Sequence, residues 1–318
     1  MATERLSRRF SFFASVTAQL ACDAVPSIVA LVSCAEARDY DTDLPLLVRA
    51  FGDRGILAEI VNWDDDNVVW DSYRAAIVRS PWDYHRRYAE FLAWLEKASA
   101  NTAVFNSADI ISWNTDKVYL QELIDLNIPV IPTTYVRGAE DLVLANDLIK
   151  GDVVVKPTIS AGSNNTERHV GVSASAAAHI TQLVDRGMVA MVQPYQRFID
   201  ERGETGMLYF NGEYSHAFRK GAILATGDNV KNGLYTEEDI GPRDASREER
   251  ELGDEVIAFV SKKFGSAPLY ARVDVVRGSG GYPVLMELEM AEPSLYLHTS
   301  RDSATRFVSA FLSQTASL

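Results

Sequence analysis

Cysteine is nearly absent from this chain, with Cys22 and Cys34 the only two in 318 residues. Two cannot build a disulfide framework, and no CxxC or Cys/His cluster offers zinc ligands, so a reduced, cytoplasmic protein is expected. Positive charge is also short. Lys and Arg number 31 against 44 Asp and Glu, a net charge of −13, which excludes capture of nucleic acid or anionic lipid by overall charge. A phosphate ligand then needs a local basic pocket. No apolar run reaches the roughly 18–20 residues of a membrane span, so no membrane partner is expected. GxxxxGK[ST] is missing, as is GxGxxG after the first strand, and P-loop and dinucleotide-binding readings fall away. Ser294 has no G-x-S-x-G context, which argues against a serine hydrolase. The five histidines, His85, His169, His179, His216 and His298, show no metal spacing and receive no catalytic role.

What is present is a globular balance, 47% hydrophobic and 24% charged, on a chain long enough for two or three packed subdomains. Residues 1–27 read as an extension outside the folded body, disordered or the product of an early start codon. Arg5, Arg8 and Arg9 ahead of an apolar stretch only weakly imitate a targeting peptide, because Ser11, Ser15, Thr17 and Gln19 interrupt it. From Ile28 the pattern is α/β. IVALVS, LAEIVNW, AAIVRS and AVFN read as strands, with helices over 44–51 and around Tyr88, Phe91, Leu92 and Leu95. Residues 28–112 form one expected domain.

The remainder, 113–318, reads as α+β. Asn114 is expected to cap a helix carrying Leu120, Leu123 and Ile124, with Lys117 in its first turn, where a cation opposes the helix dipole. DVVVK, MVAMVQ, GMLYF and EYSHAF are strands around a helix that stops at Gly187, and FNGEY carries a hairpin signal. Residues 221–247 are expected to be a long surface loop that closes over a site. An amphipathic helix (Ile257, Val260, Phe264), a hairpin and a last helix (Phe307, Val308, Phe311) follow.

Chemistry concentrates between Leu269 and Glu292. Alternation places Arg272 and Asp274 on one strand face, and Glu287 and Glu289 on one face of the next, with Met286, Leu288 and Met290 opposite. Three carboxylates beside one arginine suit a hard divalent ion such as magnesium. Lys156 leaves an apolar strand as a point charge fit for phosphate, and Ser160-Ala161-Gly162-Ser163 offers backbone N–H groups. Arg79, closing an apolar strand, suits a substrate carboxylate. Trp82 and Tyr84 read as packing residues. Arg219 and Lys220 end a strand with two cations, either on the surface or as a clamp.

Lys117, Lys156-Pro157 with its small-residue loop, Gln193-Pro194-Tyr195, Arg272-Val273-Asp274 and Glu287-Leu288-Glu289, in this order, resemble the ATP-grasp superfamily of carboxylate-activating ligases. RSPWDY, WNTDK, KPTISAG, VQPY and MELEMAEPSL look like the family of cycloserine-forming O-ureido-D-serine cyclo-ligases. The resemblance implies an ATP-grasp fold, α/β plus α+β, with an N-terminal pre-ATP-grasp domain and two lobes, 113–192 and 193–318, clasping MgATP. It implies phosphate contacts from Lys117, Lys156, Ser160 and Gly162, an adenine hinge at Gln193, Pro194 and Tyr195, and a ribose contact at Asp200 or Glu201. Asp274, Glu287 and Glu289 would bind two magnesium ions, or manganese, although many members carry asparagine where Glu289 stands. Arg272, with Arg219 and Lys220, would act on the transferring group, and Arg79 and Ser294 would hold a small amino-acid-type substrate. The implied reaction is ADP-forming amide synthesis through an acyl phosphate. An amine from the same or a second molecule, a phosphotransferase and a noncatalytic ATP-binding protein remain open, as does a homodimer.

Overall fold

Strands that are apolar on both faces require cover above and below, and the N-terminal ones obtain it in a parallel sheet. In the computed structural model, which describes residues 28–171, 173–222 and 238–316, β1 (Ile28–Ser33), α1 (Asp43–Gly52), β2 (Leu57–Asn62), β3 (Ala75–Ser80), α2 (Tyr88–Ser99) and β4 (Ala103–Phe105) build this unit, with strand order β2-β1-β3-β4. The extension expected over 1–27, and most of the loop expected over 221–247, lie outside the described residues. Parity sorts the two faces. Val29 and Leu31 meet Leu44, Leu47 and Phe51 of α1, while Ala30 and Val32 share a core with Trp63, Phe91 and Trp94.

Two expectations fail in the next segment. Asn114 caps no helix: it ends α3 (Ala108–Asn114), whose true cap is Ser107, accepting from the Ile110 N–H. The next helix, α4 (Tyr119–Asp125), starts two residues beyond Lys117, so Lys117 sits in the connection and the dipole has no part in placing it. Residues of this type cap helices through a short polar side chain, but the same side chain serves equally to bind a distant backbone.

Next come β5 (Thr134–Val136), α5 (Leu142–Ala145), β6 (Asp152–Pro157), β7 (Glu167–Val170), α6 (Ser173–Asp185) and β8 (Ala190–Pro194), an antiparallel sheet in order β5-β8-β6-β7. Val153 and Val155 pack with Ile180 and Leu183 of α6. The alternate residues Val154 and Lys156 face the other way, into a cleft.

The far wall of the cleft is a five-stranded antiparallel sheet. Following α7 (Phe198–Arg202), it comprises β9 (Glu204–Phe210), β10 (Glu213–Lys220), β11 (Ile240–Arg243), β12 (Tyr270–Arg277) and β13 (Pro283–Glu289), in order β11-β10-β9-β12-β13. Asn211 (φ 51°) and Gly212 (φ 80°) make the tight hairpin between β9 and β10. β11 corrects part of the 221–247 expectation, since its residues pair with Ala217–Lys220. α8 (Arg247–Phe264) starts at a Ser246/Glu249 capping box and stops at left-handed Gly265. Its Leu252, Val256, Ile257 and Val260 cover one face of the sheet together with α4.

The last helix, α9 (Ser303–Thr315), joins the first sheet to the third. Phe307, Val308 and Phe311 lie in one core with Val29, Leu31 and Phe51 on one side and Leu208, Phe210 and Tyr270 on the other. Each such fully buried side chain contributes roughly 1.5–3 kcal/mol. No helix among the described residues is long and apolar enough to cross a membrane.

Candidate active site

β13 is a sheet edge, and an edge leaves unpaired backbone groups. Here side chains and a loop take them up. Asn114 donates to the Leu288 carbonyl (2.8 Å) and accepts from the Met290 N–H. The Tyr119 hydroxyl donates to the Leu288 carbonyl (2.7 Å) and accepts from its N–H (2.8 Å). Asn106 binds the Tyr270 and Met290 carbonyls at 2.9 and 2.8 Å. Leu285 is held from Pro129 and Ile131 at 2.7 and 3.0 Å. The strand that carries Glu287 and Glu289 is thereby fixed along its free edge.

Register then sets the charges. Arg272 stands opposite Glu289, and Asp274 opposite Glu287. A bulge follows, because Val275 pairs with Leu285 and Met286 is left over. The extra residue breaks the expected alternation, and Met286 lines the cleft beside Glu287 and Glu289 instead of sharing Leu288's face. Arg272 takes both oxygens of Asp274 (2.8–3.0 Å), an oxygen of Glu289 and the Ser294 carbonyl (3.2 Å). Glu287 lies 3.2 Å from the Lys117 ammonium and 3.8 Å from that of Lys156.

These neighbours decide protonation. Burial opposes charge on Glu287, but Lys117, Lys156 and Arg272 together hold its carboxyl below the usual range. Burial pushes Glu289 up even against Arg272, and Glu287 and Asp274 push it further. Burial also pulls Lys156 down, despite Glu287, with Lys117 adding to the effect. Of these acids Glu289 is the one whose charge its neighbours do not fully offset.

Three acids at the site were not anticipated from sequence. Glu204 lies in the cleft wall with one carboxylate oxygen lacking a hydrogen-bond partner, and burial raises it to about 7 despite Lys220. Glu238 pairs with Lys220 at 2.9 Å and accepts from the Tyr296 hydroxyl. Glu292, raised to about 7 chiefly by burial, is hydrogen-bonded by Tyr84, and Trp82 donates to its carbonyl at 3.1 Å. The one available signal was position. Glu204 opens the fully buried strand ETGMLYF, and Glu292 directly follows the Glu287/Glu289 strand.

Comparison with known proteins bears on this geometry. A family model described as the N-terminal domain of D-cycloserine synthetase DcsG matches residues 29–106. The cycloserine biosynthesis protein DcsG of Streptomyces lavendulae is 37% identical over 292 residues, covering 89% of this chain and 97% of that protein. The chain belongs to the D-cycloserine synthetase family of ATP-grasp ligases. The crystal structure of D-cycloserine synthetase DcsG superposes with a TM-score of 0.84 at 35% identity, covering 90% of this chain and 99% of that one. The ATP-grasp ligase PsnB, solved with its minimal precursor, Mg and ADP, shares the fold at TM-score 0.59 and 18% identity, covering 92% of this chain and 99% of its own. So does D-alanyl-alanine synthetase A of Vibrio cholerae, at 0.64 and 13%, covering 92% and 98%. This member of the cycloserine synthetase family is accordingly an ATP-dependent carbon–nitrogen ligase of ATP-grasp architecture.

Within that family frame, the structure brings most of the anticipated residues together. Lys117, Lys156, Ser160, Gly162, Gln193, Pro194, Tyr195, Lys220, Arg272, Glu287, Glu289 and Ser294 all line the cleft, and the Lys117 ammonium donates to the Ser160 carbonyl at 2.9 Å. Five do not line it. Asp274 lies behind Arg272 with both oxygens engaged. Arg219, one residue before Lys220, points to the other side of β10 and pairs with exposed Asp239. Asp200 is held by the Tyr195 hydroxyl and stands 3.6 Å from Arg168, and Glu201 beside it is exposed. Arg79 is fully buried, lies over the Tyr270 ring (5.1 Å) and donates from one nitrogen to the Pro293 carbonyl at 2.6 Å, while its Nε and Nη1 have no hydrogen-bond partner. Its charge ties β3 to the turn ahead of Ser294.

Proposed function

We propose that this ligase activates the carboxylate of a small amino-acid derivative, O-ureido-D-serine or a close analogue, and closes it into a ring. The observation that carries the reading is the meeting of two lysines, Glu287 and Glu289 with the Gln193–Tyr195 strand end in one cleft, in a chain 37% identical to a cycloserine biosynthesis protein.

Gln193, Pro194 and Tyr195 would meet the adenine edge through their backbone. Asp200, at the rim, would reach the ribose. Lys117 and Lys156 would hold the phosphates, with Ser160 and Gly162 presenting backbone over them. Glu287 and Glu289 fit magnesium, because Glu289 is a partly buried acid whose charge lacks full compensation, and a divalent ion would supply charge neutralisation to phosphate oxygens. Two ions, with manganese able to substitute, belong to this reading. Asp274 would serve from behind, through Arg272.

The substrate carboxylate attacks the γ-phosphorus and ADP departs; a nitrogen of the same molecule then attacks the acyl carbon and phosphate departs. Lys220 and Arg272 would stabilise the charge that develops, and Ser294 would position the acid. No protein nucleophile is required. The test is product-resolved turnover with MgATP and a panel of amino acids that includes O-ureido-serine of both hands. ADP, phosphate and a cyclic product from the D-form alone are expected. AMP would overturn the acyl-phosphate route, and a linear dipeptide would overturn the ring closure.

A further inference from the structure

The five histidines show no metal spacing along the chain, yet the fold brings two of them together with a carboxylate away from the ATP cleft. Glu167 and His169 alternate along β7 and share the face that meets α6, opposite Val155 and Val153 in register. Ser175 and His179, four residues apart on α6, point back at them. The His169 Nε2 and His179 Nδ1 atoms stand 3.2 Å apart, and a Glu167 carboxylate oxygen lies 3.7 Å from the first and 3.9 Å from the second. Both rings are buried at 6% exposure, while Glu167 remains one-third exposed.

We propose that Glu167, His169 and His179 form a zinc site that fastens β7 to α6. Ligands at about 2.0–2.1 Å around a tetrahedral ion stand roughly 3.3 Å from one another, and the three observed separations bracket that edge. A hydrogen bond between the rings accounts for the 3.2 Å contact alone. It leaves the carboxylate beyond hydrogen-bond reach of both nitrogens, whereas a metal accounts for all three. The surroundings also orient the ligands. Ser175 Oγ meets His169 Nδ1 at 2.7 Å, which leaves Nε2 to face the proposed ion, as the second partner of a metal-bound histidine does. His179 hydrogen-bonds the backbone of Asn165. Two imidazoles and one carboxylate select zinc over magnesium, whose preference is for oxygen, so the site is chemically separate from Glu287 and Glu289. The exposed side of Glu167 leaves a fourth position to water.

The location gives such an ion a role. The segment Ser160–Ser163 and Thr166 line the ATP cleft, and Thr166 runs directly into Glu167. An ion here would anchor the base of the loop assigned to the phosphates, without touching nucleotide.

Full-length protein stripped with a chelator, desalted and titrated with Zn²⁺ and with Co²⁺, in excess Mg²⁺ and without ATP, tests the proposal. One equivalent per chain, intense cobalt d–d bands typical of four-coordination and a zinc-dependent rise in Tm are expected. His169→Ala and His179→Ala should abolish all three signals, Ser175→Ala should weaken zinc by about 10–100-fold, and Glu287→Gln should keep them. Glu167→Gln, at a one-third-exposed position, covers the case in which a histidine variant fails to fold. Uptake unchanged in Glu167→Gln and in the histidine variants, or no uptake by the parent chain, overturns the site.

Discussion

The two sheets that face each other across the cleft are built on different plans. In the five-stranded sheet the charges arrive paired: Arg272 with Asp274 and Glu289, Lys220 with Glu238, on strands whose free edge Asn114, Asn106 and Tyr119 have closed. In the four-stranded sheet the cleft-facing row is Val154, Lys156 and the Gln193–Tyr195 strand end, and the carboxylate nearest Lys156 belongs to the opposite wall, 3.8 Å away. One wall is a finished template. The other presents a buried cation whose counter-charge lies across the gap, so relative movement of the walls changes the surroundings of Lys156 and leaves those of Arg272 as they are.

Glu287→Gln strikes where the walls meet and should have the largest effect, at least about a 1,000-fold loss of ATP turnover measured as ADP release. A near-normal rate would dissolve the contrast between the walls. Lys156→Ala should lower turnover about 100-fold, while stability to denaturant holds or rises, because burial already disfavours that ammonium; a marked loss of stability would show it to be a structural strut. Asn114→Ala should cost about 2 kcal/mol of stability by freeing the β13 edge, with a smaller loss of rate. An unaltered midpoint in urea would mean that the edge is held without it. Arg219→Ala should change turnover less than about twofold and stability less than about 0.5 kcal/mol, as befits an exposed pair. A large rate loss would return Arg219 to the cleft.

The charged strand pair and the lysine at the end of VVVK were legible because alternation in a strand is local, and so were most strands and helices. The Met286 bulge was not, since one surplus residue appears only when two strands are laid side by side. Asn114 misled because a polar residue at the end of an element looks available for a cap, and only the packed molecule reveals that β13 has taken it. Glu204 and Glu292 were invisible because a single acid gains meaning from neighbours distant in the chain, such as Asp274 and Arg272 for Glu204 and Tyr84 for Glu292. The choice between Arg219 and Lys220 turned on the face of one strand.

The placement of α9 bears on how the chain is made. Val29 and Leu31 are among the first apolar side chains of the first sheet, yet part of their cover is Phe307, Val308 and Phe311. Synthesis runs from the N-terminus at about 5–20 residues per second, so this face of the nascent sheet stays only partly covered for tens of seconds until the last helix leaves the ribosome. A chain interrupted before Ser303 would keep a sticky surface, and the earliest strands complete their burial only once α9 has been made.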